Sequence, residues 1–367
     1  MSYREINRLW NTVLSSADKL LDRDRMLGRP LRIHIEVNDF CNLKCPHCPR
    51  ENPDIPKNTG HIPIEAVRNL APWFKKANYV GLAGNGEPFL HPQIMDVLRC
   101  VTENGAAPSV ISNATLWKKY DYFHDLVRLG PMLFMVSFDG GTKETFEKWR
   151  KRANFEEVQE NLMLLKEAKE QARSPHPVVN FIVCLMRDTI GEVENIVDIA
   201  AKSGVSVVLF QNMYPYVGSL EKERVKDLAE CNAAIERARA RARQHGIRID
   251  YLPMSMDVDD RSAPAANGNG NGAKKKAYHC DNVWQQMHVT VKGEVKFCCF
   301  WTEGAVGDLT KDDLGDLWNG EEWRALRRDL RSGRKPGPCV NCHNLQLVDK
   351  KAIAKASLQE LKDLAKR

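Results

Sequence analysis

The sequence predicts an α/β fold, an open (β/α)6 barrel followed by a small cysteine-rich unit, and three observations predict it. Short β-branched runs alternate with longer amphipathic stretches through roughly the first 250 residues. The runs are apolar almost throughout, as parallel strands covered by helices on their faces are. Of the eleven cysteines, Cys41, Cys45 and Cys48 crowd one loop, whereas Cys280, Cys298, Cys299, Cys339 and Cys342 fall in the last quarter.

The strand candidates are, in order, 31–38 (LRIHIEVN), 78–83 (NYVGLA), 107–112 (APSVIS), 132–138 (MLFMVSF), 178–185 (VVNFIVCL) and 205–211 (VSVVLFQ). Helical stretches near 63–76, 92–104, 118–129, 142–170, 190–203 and 219–246 separate and follow them. Six units fit an open, incomplete barrel better than a closed eight-unit one; the pattern also accommodates a doubly wound sheet. In either arrangement ligands gather at the carboxyl ends of the strands. Residues 1–30 form a helical extension and 31–256 the barrel. Residues 257–277, DVDDRSAPAANGNGNGAKKKA, have too little apolar content to repay ordering and read as a flexible linker. Residues 278–345 then form the cysteine-rich unit, with a hairpin turning at Lys292 and Gly293 and an amphipathic helix near 312–332. Residues 346–367 close the chain as a lysine-rich helix that reads as a solvated surface element.

Composition narrows the class. The 367 residues are 43% hydrophobic and 28% charged, enough for a large domain and a smaller one. No stretch approaches the roughly 18 apolar residues of a membrane helix, and the start, MSYREINRLW, lacks the form of a secretory signal. A cytoplasmic chain with reduced thiols is therefore expected, its cysteines serving as metal ligands rather than disulfides. The net charge of +6 is mild and dispersed, so neither nucleic acid nor membrane is expected as a partner.

Cys41, Cys45 and Cys48 follow the first strand, which puts three thiolates on one loop. A structural zinc site closes with four ligands and would need His47 or His61; three thiolates on a four-iron cluster leave one iron open. The segment CNLKCPHC resembles the CxxxCxxC signature of the radical S-adenosylmethionine (SAM) enzymes. Three further segments are similar to that family's motifs. They are GNGEPFLHP at 84–92, SNA at 112–114 and SFDGGTKETFEKWR at 137–150. The resemblance covers about residues 31–215 and implies a partial TIM-like barrel. It also implies a SAM-binding 4Fe-4S cluster on Cys41, Cys45 and Cys48. Gly84, Asn85, Gly86 and Glu87 would hold the SAM amino group, with Ser112 and Asn113 near its methionine. Ser137 and Asp139 would lie at the ribose, Arg150 at the carboxylate, and His47 beside cluster and adenine. Asn85 and Ala114 depart from the family pattern, each standing where a glycine is usual.

Cys280 and Cys298 bracket the hairpin, and Cys339 and Cys342 form a CxxC, so four ligands can close one site; a zinc ribbon fits this spacing as well. The segment from HCDNVWQQMHVTVKGEVKFCCF to CVNC resembles the SPASM family's auxiliary-cluster domain in its shortened twitch form. That resemblance implies one auxiliary 4Fe-4S cluster on Cys280, Cys298, Cys339 and Cys342. Cys299 adjoins Cys298 and is the alternative ligand, or a free thiol able to donate a hydrogen atom. Cys184, inside an apolar strand, reads as a core thiol.

Together these features imply an enzyme that cleaves SAM reductively, takes a hydrogen from its substrate and passes an electron to the auxiliary cluster. Its electron donor would be flavodoxin or ferredoxin. The substrate would be a small molecule, or a peptide delivered by a separate leader-peptide-binding protein, since only about 30 residues precede the first strand. Glu36, Tyr214 and Cys299 are candidate catalytic groups, and Asn180, Gln211 and Glu303 further polar candidates. The rival from another class is a non-catalytic zinc or iron-sulfur protein for binding or electron transfer.

Overall fold

The computed structural model describes residues 3–252 and 276–364, apart from positions 56, 58, 216–217, 300, 302, 341 and 343–344. An amphipathic helix, α1 (Tyr3–Leu20), precedes β1 (Arg32–Ile35). The barrel continues through α2 (Ile64–Asn69), α3 (Ala71–Phe74), β2 (Tyr79–Leu82), α4 (Ile94–Glu103) and β3 (Pro108–Ser112). Next come α5 (Trp117–Tyr120), α6 (Phe123–Arg128), β4 (Leu133–Ser137), α7 (Lys143–Trp149), α8 (Phe155–Gln171) and β5 (Val178–Leu185). It closes with α9 (Val193–Lys202), β6 (Val207–Asn212), α10 (Leu228–His245) and β7 (Arg248–Leu252). The C-terminal part comprises β8 (Lys276–His279), α11 (Asp281–Gln285), β9 (Gln286–Val289), β10 (Glu294–Lys296) and β11 (Gly307–Asp308). It ends with α12 (Leu314–Trp318), α13 (Glu321–Ser332), β12 (Gln346–Asp349) and α14 (Lys350–Leu364).

All six expected strands form, and a seventh, β7, adds in parallel to β6. β7 escaped the apolar-run criterion because it is an edge strand with little buried surface. Several expected helices are divided: α7 ends at Trp149 and α8 starts at Phe155, where Asn154 caps it by accepting from Glu157 N at 2.8 Å. The predicted linker lies outside the described residues except for its last two, which open β8.

The main departure concerns how the C-terminal part attaches. The sheet has ten strands in the order β11-β10-β9-β1-β2-β3-β4-β5-β6-β7, so the C-terminal hairpin extends the barrel sheet rather than standing apart from it. β9 pairs in parallel with β1, His34 opposite His288. The N-terminal extension is sewn to the same part: Trp318 Nε1 donates to Gly28 O at 2.9 Å, and Met26 and Asn319 exchange two hydrogen bonds. The closing helix is also more than a solvated element. β12 pairs with β8, Ser357 of α14 is buried, and Lys19 of α1 meets Glu360 at 3.2 Å.

Inside the barrel the strands show one rule. On β1, β4, β5 and β6 the residues turned toward the helices, such as Ile33, Phe134, Phe181 and Phe210, are fully buried. Those turned inward, such as His34, Met135, Asn180 and Gln211, stay half-buried. The lumen is thus open space with a mixed polar and apolar lining. None of the described helices is long and apolar enough to cross a membrane.

At the centre of the C-terminal part Arg327 is fully buried. Its guanidinium lies 4.5 Å from the Trp318 ring centre and donates to Val283 O at 3.3 Å and Asp24 O at 2.8 Å. Arg327→Ala therefore opens a cavity and removes the donor to Asp24 O, while Val283 O keeps its bond from Trp323 Nε1 at 2.9 Å, and should cost about 3 kcal/mol or more. Urea unfolding of the metal-free chain measures this; a loss under about 1 kcal/mol would contradict the packing described.

Candidate active site

The loop after β1 carries Cys41, Cys45 and Cys48, and buried polar groups hold it from beneath. The Asp39 carboxylate accepts from Thr59 N, Thr59 Oγ1 and Gly60 N, while the Arg50 guanidinium donates to the Asp39 carbonyl. Burial would raise the Asp39 carboxyl, but Thr59, Gly60 and Arg50 hold it below its ordinary value. Asn38 bonds Glu87 O through its amide and Phe40 N through its oxygen, locking this loop to the one after β2. Cys45 is buried and its neighbours Cys41 and Cys48 are half-buried. Burial pushes the Cys41 thiol up to about 11, with Glu87, Cys45 and Cys48 adding to the effect, so the three thiols share one pocket.

Their spacing bears on what they could hold. Tetrahedral zinc at about 2.3 Å from each sulfur puts sulfurs about 3.8 Å apart. Among the described residues, the group whose ligand atoms all lie within 4.8 Å of one another is His47, Asp139 and Cys184, and no trio of the seven predicted ligand cysteines meets that limit. Three thiols spread wider than one ion allows fit a polynuclear cluster better than zinc.

After β2, Gly86 is required by space and Gly84 sits in a tight fit. A Cβ at Gly86 would stand 2.5 Å from Phe40 O, and one at Gly84 would stand 3.1 Å from the Glu36 Cβ. Asn85, by contrast, has no left-handed backbone, so the missing glycine there carries no penalty. The fully enclosed Glu87 carboxylate accepts from Phe89 N at 3.2 Å, Ser112 Oγ at 2.7 Å and Asn113 N at 2.7 Å. Burial outweighs these bonds and pushes the carboxyl up to about 7. Asn113 also donates to Asn42 Oδ1 at 3.0 Å, tying the loop after β3 to the cysteine loop.

At the end of β4, Asp139 is 0% exposed. Its Oδ1 accepts from Cys184 N at 2.8 Å, and its Oδ2 takes His47 Nε2 at 3.1 Å and the Arg150 guanidinium. Burial alone would raise this carboxyl; Arg150, His47 and the Cys184 N–H prevail and bring it down to about 2. Asp139 thus anchors Arg150 and His47, and Ser137, two residues before it, is half-buried on the lumen face. His47 Nδ1 and Arg150 Nε are buried without a partner, which is what residues awaiting a polar cofactor present. The donor set therefore fits SAM.

The lumen adds residues that the sequence did not single out. His288 Nε2 meets Glu36 Oε1 at 3.1 Å, joining β9 to the end of β1. His34 lies beside His288, and burial, followed by His288 and Arg32, holds it down to about 4. Cys184 is on the lumen face, not in the helix-packed layer, and its sulfur accepts from Gln211 Nε2 at 3.5 Å. Parallel register alone could have paired His34 with His288, but no sequence signal announces that β9 joins β1. Tyr214 lies half-buried in the loop after β6.

In the C-terminal part burial pushes the Cys339 thiol up to about 12, with Cys342, Cys280 and Glu303 contributing, so those three cysteines are neighbours. Cys298 is half-buried after β10 and Cys299 exposed. The Glu303 carboxylate lies against Gly337, where a Cβ would stand 2.3 Å from Oε1, which places Glu303 beside this cysteine group.

Comparison with known proteins agrees with this architecture. Residues 35–200 match the Radical SAM superfamily and residues 280–343 the iron-sulfur cluster-binding domain SPASM. Residues 35–200 are thus a radical SAM domain and residues 280–343 a SPASM domain. The radical SAM domain binds SAM and a 4Fe-4S cluster, and the SPASM domain is an iron-sulfur cluster-binding domain. One relative is the antilisterial bacteriocin subtilosin biosynthesis protein AlbA of Bacillus subtilis, 22% identical over 293 residues, covering 79% of this chain and 60% of AlbA. Another is the tungsten-containing aldehyde ferredoxin oxidoreductase cofactor-modifying protein of Pyrococcus furiosus, 22% identical over 197 residues, covering 53% of this chain and 54% of that protein. The chain spans about half to three-fifths of the length of these curated relatives. Among solved structures, Streptococcus suis SuiB bound to its precursor peptide SuiA shares the fold, with TM-score 0.65, 15% identity and coverage of 90% of this chain and 73% of SuiB.

Two outcomes test the site. Ala114 takes φ +58°, a left-handed conformation that costs a non-glycine residue about 1–2 kcal/mol. Ala114→Gly removes that strain and loses one buried methyl worth about 0.8 kcal/mol. Glycine also gives the unfolded chain about 0.4–1 kcal/mol of extra freedom, so urea unfolding should find the variant within about 1 kcal/mol of wild type; a loss of about 2 kcal/mol or more would contradict the strained turn.

The second outcome concerns pH. Asp139 has a folded value of about 2 against an ordinary 3.8. Its contribution is present above pH 3.8 and is lost as pH falls through 2, which for this enclosed group amounts to about 2 kcal/mol. In the metal-free chain, Asp139→Asn should flatten that part of the stability profile between pH 5 and 2; an unchanged slope would contradict the ion pair.

Proposed function

We propose that the protein is a radical SAM enzyme that oxidatively modifies a precursor peptide. The observation that carries this reading is the three-thiol loop, spread wider than a single ion permits and opening on a half-buried lumen. AlbA is named for biosynthesis of a bacteriocin and SuiB is seen with a precursor peptide, and both support a peptide over a small molecule. When bound, SAM and its cluster supply a 5′-deoxyadenosyl radical that takes a substrate hydrogen, and the auxiliary cluster supplies an electron acceptor.

In this reading Cys41, Cys45 and Cys48 hold the SAM-binding cluster, and Cys280, Cys298, Cys339 and Cys342 a single auxiliary cluster. The Gly84 to Glu87 turn and the loop from Ser112 supply backbone donors and acceptors to SAM, while Arg150 and His47 offer it their unpartnered nitrogens. Asn180 and Gln211 orient substrate from the lumen wall. Glu36 is the exposed end of the Glu36–His288 pair and takes up the proton that an oxidised substrate must release. Tyr214 stands at the lumen rim on the loop after β6. Cys299, solvent-exposed on the auxiliary loop, is better placed as a bystander than as a hydrogen donor. A one-electron donor such as flavodoxin or ferredoxin would act as partner.

The test is anaerobic reconstitution followed by SAM and dithionite, with 5′-deoxyadenosine quantified. Wild type and Cys339→Ala should both form it, and the Cys41, Cys45 and Cys48 triple alanine variant should not. Failure of wild type with a full iron and sulfide complement would overturn the radical reading. Given a matching precursor peptide, wild type should yield a product lighter by one H2 and Cys339→Ala should not.

A further inference from the structure

Arg150 and Asp139 are arranged so that opposite charges stand at different distances from one cysteine sulfur. Arg150 Nη1 points at Cys45 Sγ from 3.8 Å, within hydrogen-bond range for sulfur, while its other terminal nitrogen pairs with Asp139. Asp139 is held by Cys184 N and His47 Nε2. The positive end thus faces the sulfur and the negative end is tethered behind it. Cys45 is 7% exposed, the most enclosed of the three thiols, so solvent screens this field least there.

The backbone fixes the approach independently of the charges. Lys44 N, next to Cys45, bonds Lys151 O, next to Arg150, at 3.0 Å, and Arg150 N closes α7 on Phe146 O at 2.7 Å. A metal ion at His47, Asp139 and Cys184, whose ligand atoms lie within 4.8 Å of one another, is opposed by the same geometry. The Arg150 guanidinium already neutralises Asp139 and would repel a second cation.

We propose that the Arg150–Asp139 pair sets the reduction potential of the cluster that Cys41, Cys45 and Cys48 would hold, Arg150 raising it and Asp139 limiting the rise. The proposal rests on the reading of that loop as a cluster site. Adding one electron to a cluster increases negative charge on its iron and sulfur atoms. A cation and N–H donor at the ligating sulfur therefore stabilises the reduced form more than the oxidised one. Arg150 and Asp139 act here through Cys45 and are positioning residues. The two removals have opposite signs: loss of the guanidinium lowers the potential, and loss of the carboxylate charge, with Arg150 left in place, raises it.

The experiment is a dithionite-poised redox titration of the anaerobically reconstituted full chain without SAM, read by electron paramagnetic resonance. The relevant signal is identified as the one that changes when SAM is added to a parallel sample. At a fixed potential Arg150→Gln should lower the reduced-to-oxidised ratio about tenfold, which is 59 mV for one electron. Arg150→Lys should recover most of that change, and Asp139→Asn should raise the ratio.

Loosening of the site as a whole would move both charge-removing variants the same way, and that result overturns the proposal, as does no shift in either. If Arg150→Gln holds no cluster, Asp139→Asn decides alone: a raised ratio supports the proposal and a lowered or unchanged one overturns it. A wild type with no SAM-responsive signal overturns the cluster reading itself and this inference with it. A SAM-responsive wild type with unshifted variants overturns the inference alone.

Discussion

Parallel pairing of β9 on β1 is the constraint on which the remaining geometry depends. An open barrel leaves its first strand with a row of unpaired backbone groups, and exposed edges of that kind invite association with other chains. Here the edge is covered from within the chain by a strand that arrives some 250 residues later, in the register that sets His288 beside His34. Because β1 is then bonded on both sides, the direction in which it delivers the cysteine loop is fixed. Glu36 N bonds Val289 O at 2.9 Å and its carboxylate meets His288, so the residue at the loop's root belongs equally to both parts of the protein.

Above that frame, three buried acids do for the loops what helices and ladders do elsewhere. Asp39 gathers the Thr59–Gly60 segment under the cysteine loop, Glu87 joins the ends of β2 and β3, and Asp139 joins the ends of β4 and β5 through the Cys184 N–H. A buried carboxylate accepting several N–H or O–H donors is costly to move, since each displaced donor would be left without a partner. The loops at the sheet's carboxyl edge are therefore rigid where function needs position, although they contain little regular structure. Asp139 is paired directly with a full counter-charge and Glu87 is not, which explains why burial leaves Glu87 raised and Asp139 lowered.

Much of this was legible in the sequence because it follows from local pattern. Six apolar runs marked six strands, and Cys41, Cys45 and Cys48 announced a loop with three ligands. What escaped depends on partners distant in sequence. The strand RIDYL at β7 is polar because it lies at an edge, and the short strands β8 and β12 pair only with each other and bury only Ala277 and Tyr278, so neither carries an apolar run. Cys184 reads as a core thiol because alternation cannot tell an inward face that packs from one that lines open space. His288 is invisible as a site residue until β9 is known to lie against β1.

Those unforeseen residues also give the lumen its asymmetry. Along β3 to β6 the inward positions include Ile111, Met135, Ile182 and Leu209, whereas β9 and β1 contribute His288, His34 and Glu36. The ionisable part of this lining therefore lies on the side where the SPASM domain joins the sheet, while Asn180, Cys184 and Gln211 interrupt the apolar lining of β5 and β6. Glu36 and His288 meet at the root of the cysteine loop, and β9, which supplies that imidazole, runs on through its hairpin to Cys298. The same strand addition that closes the barrel edge thus ties the Glu36–His288 pair to the hairpin that leads to the second cysteine group.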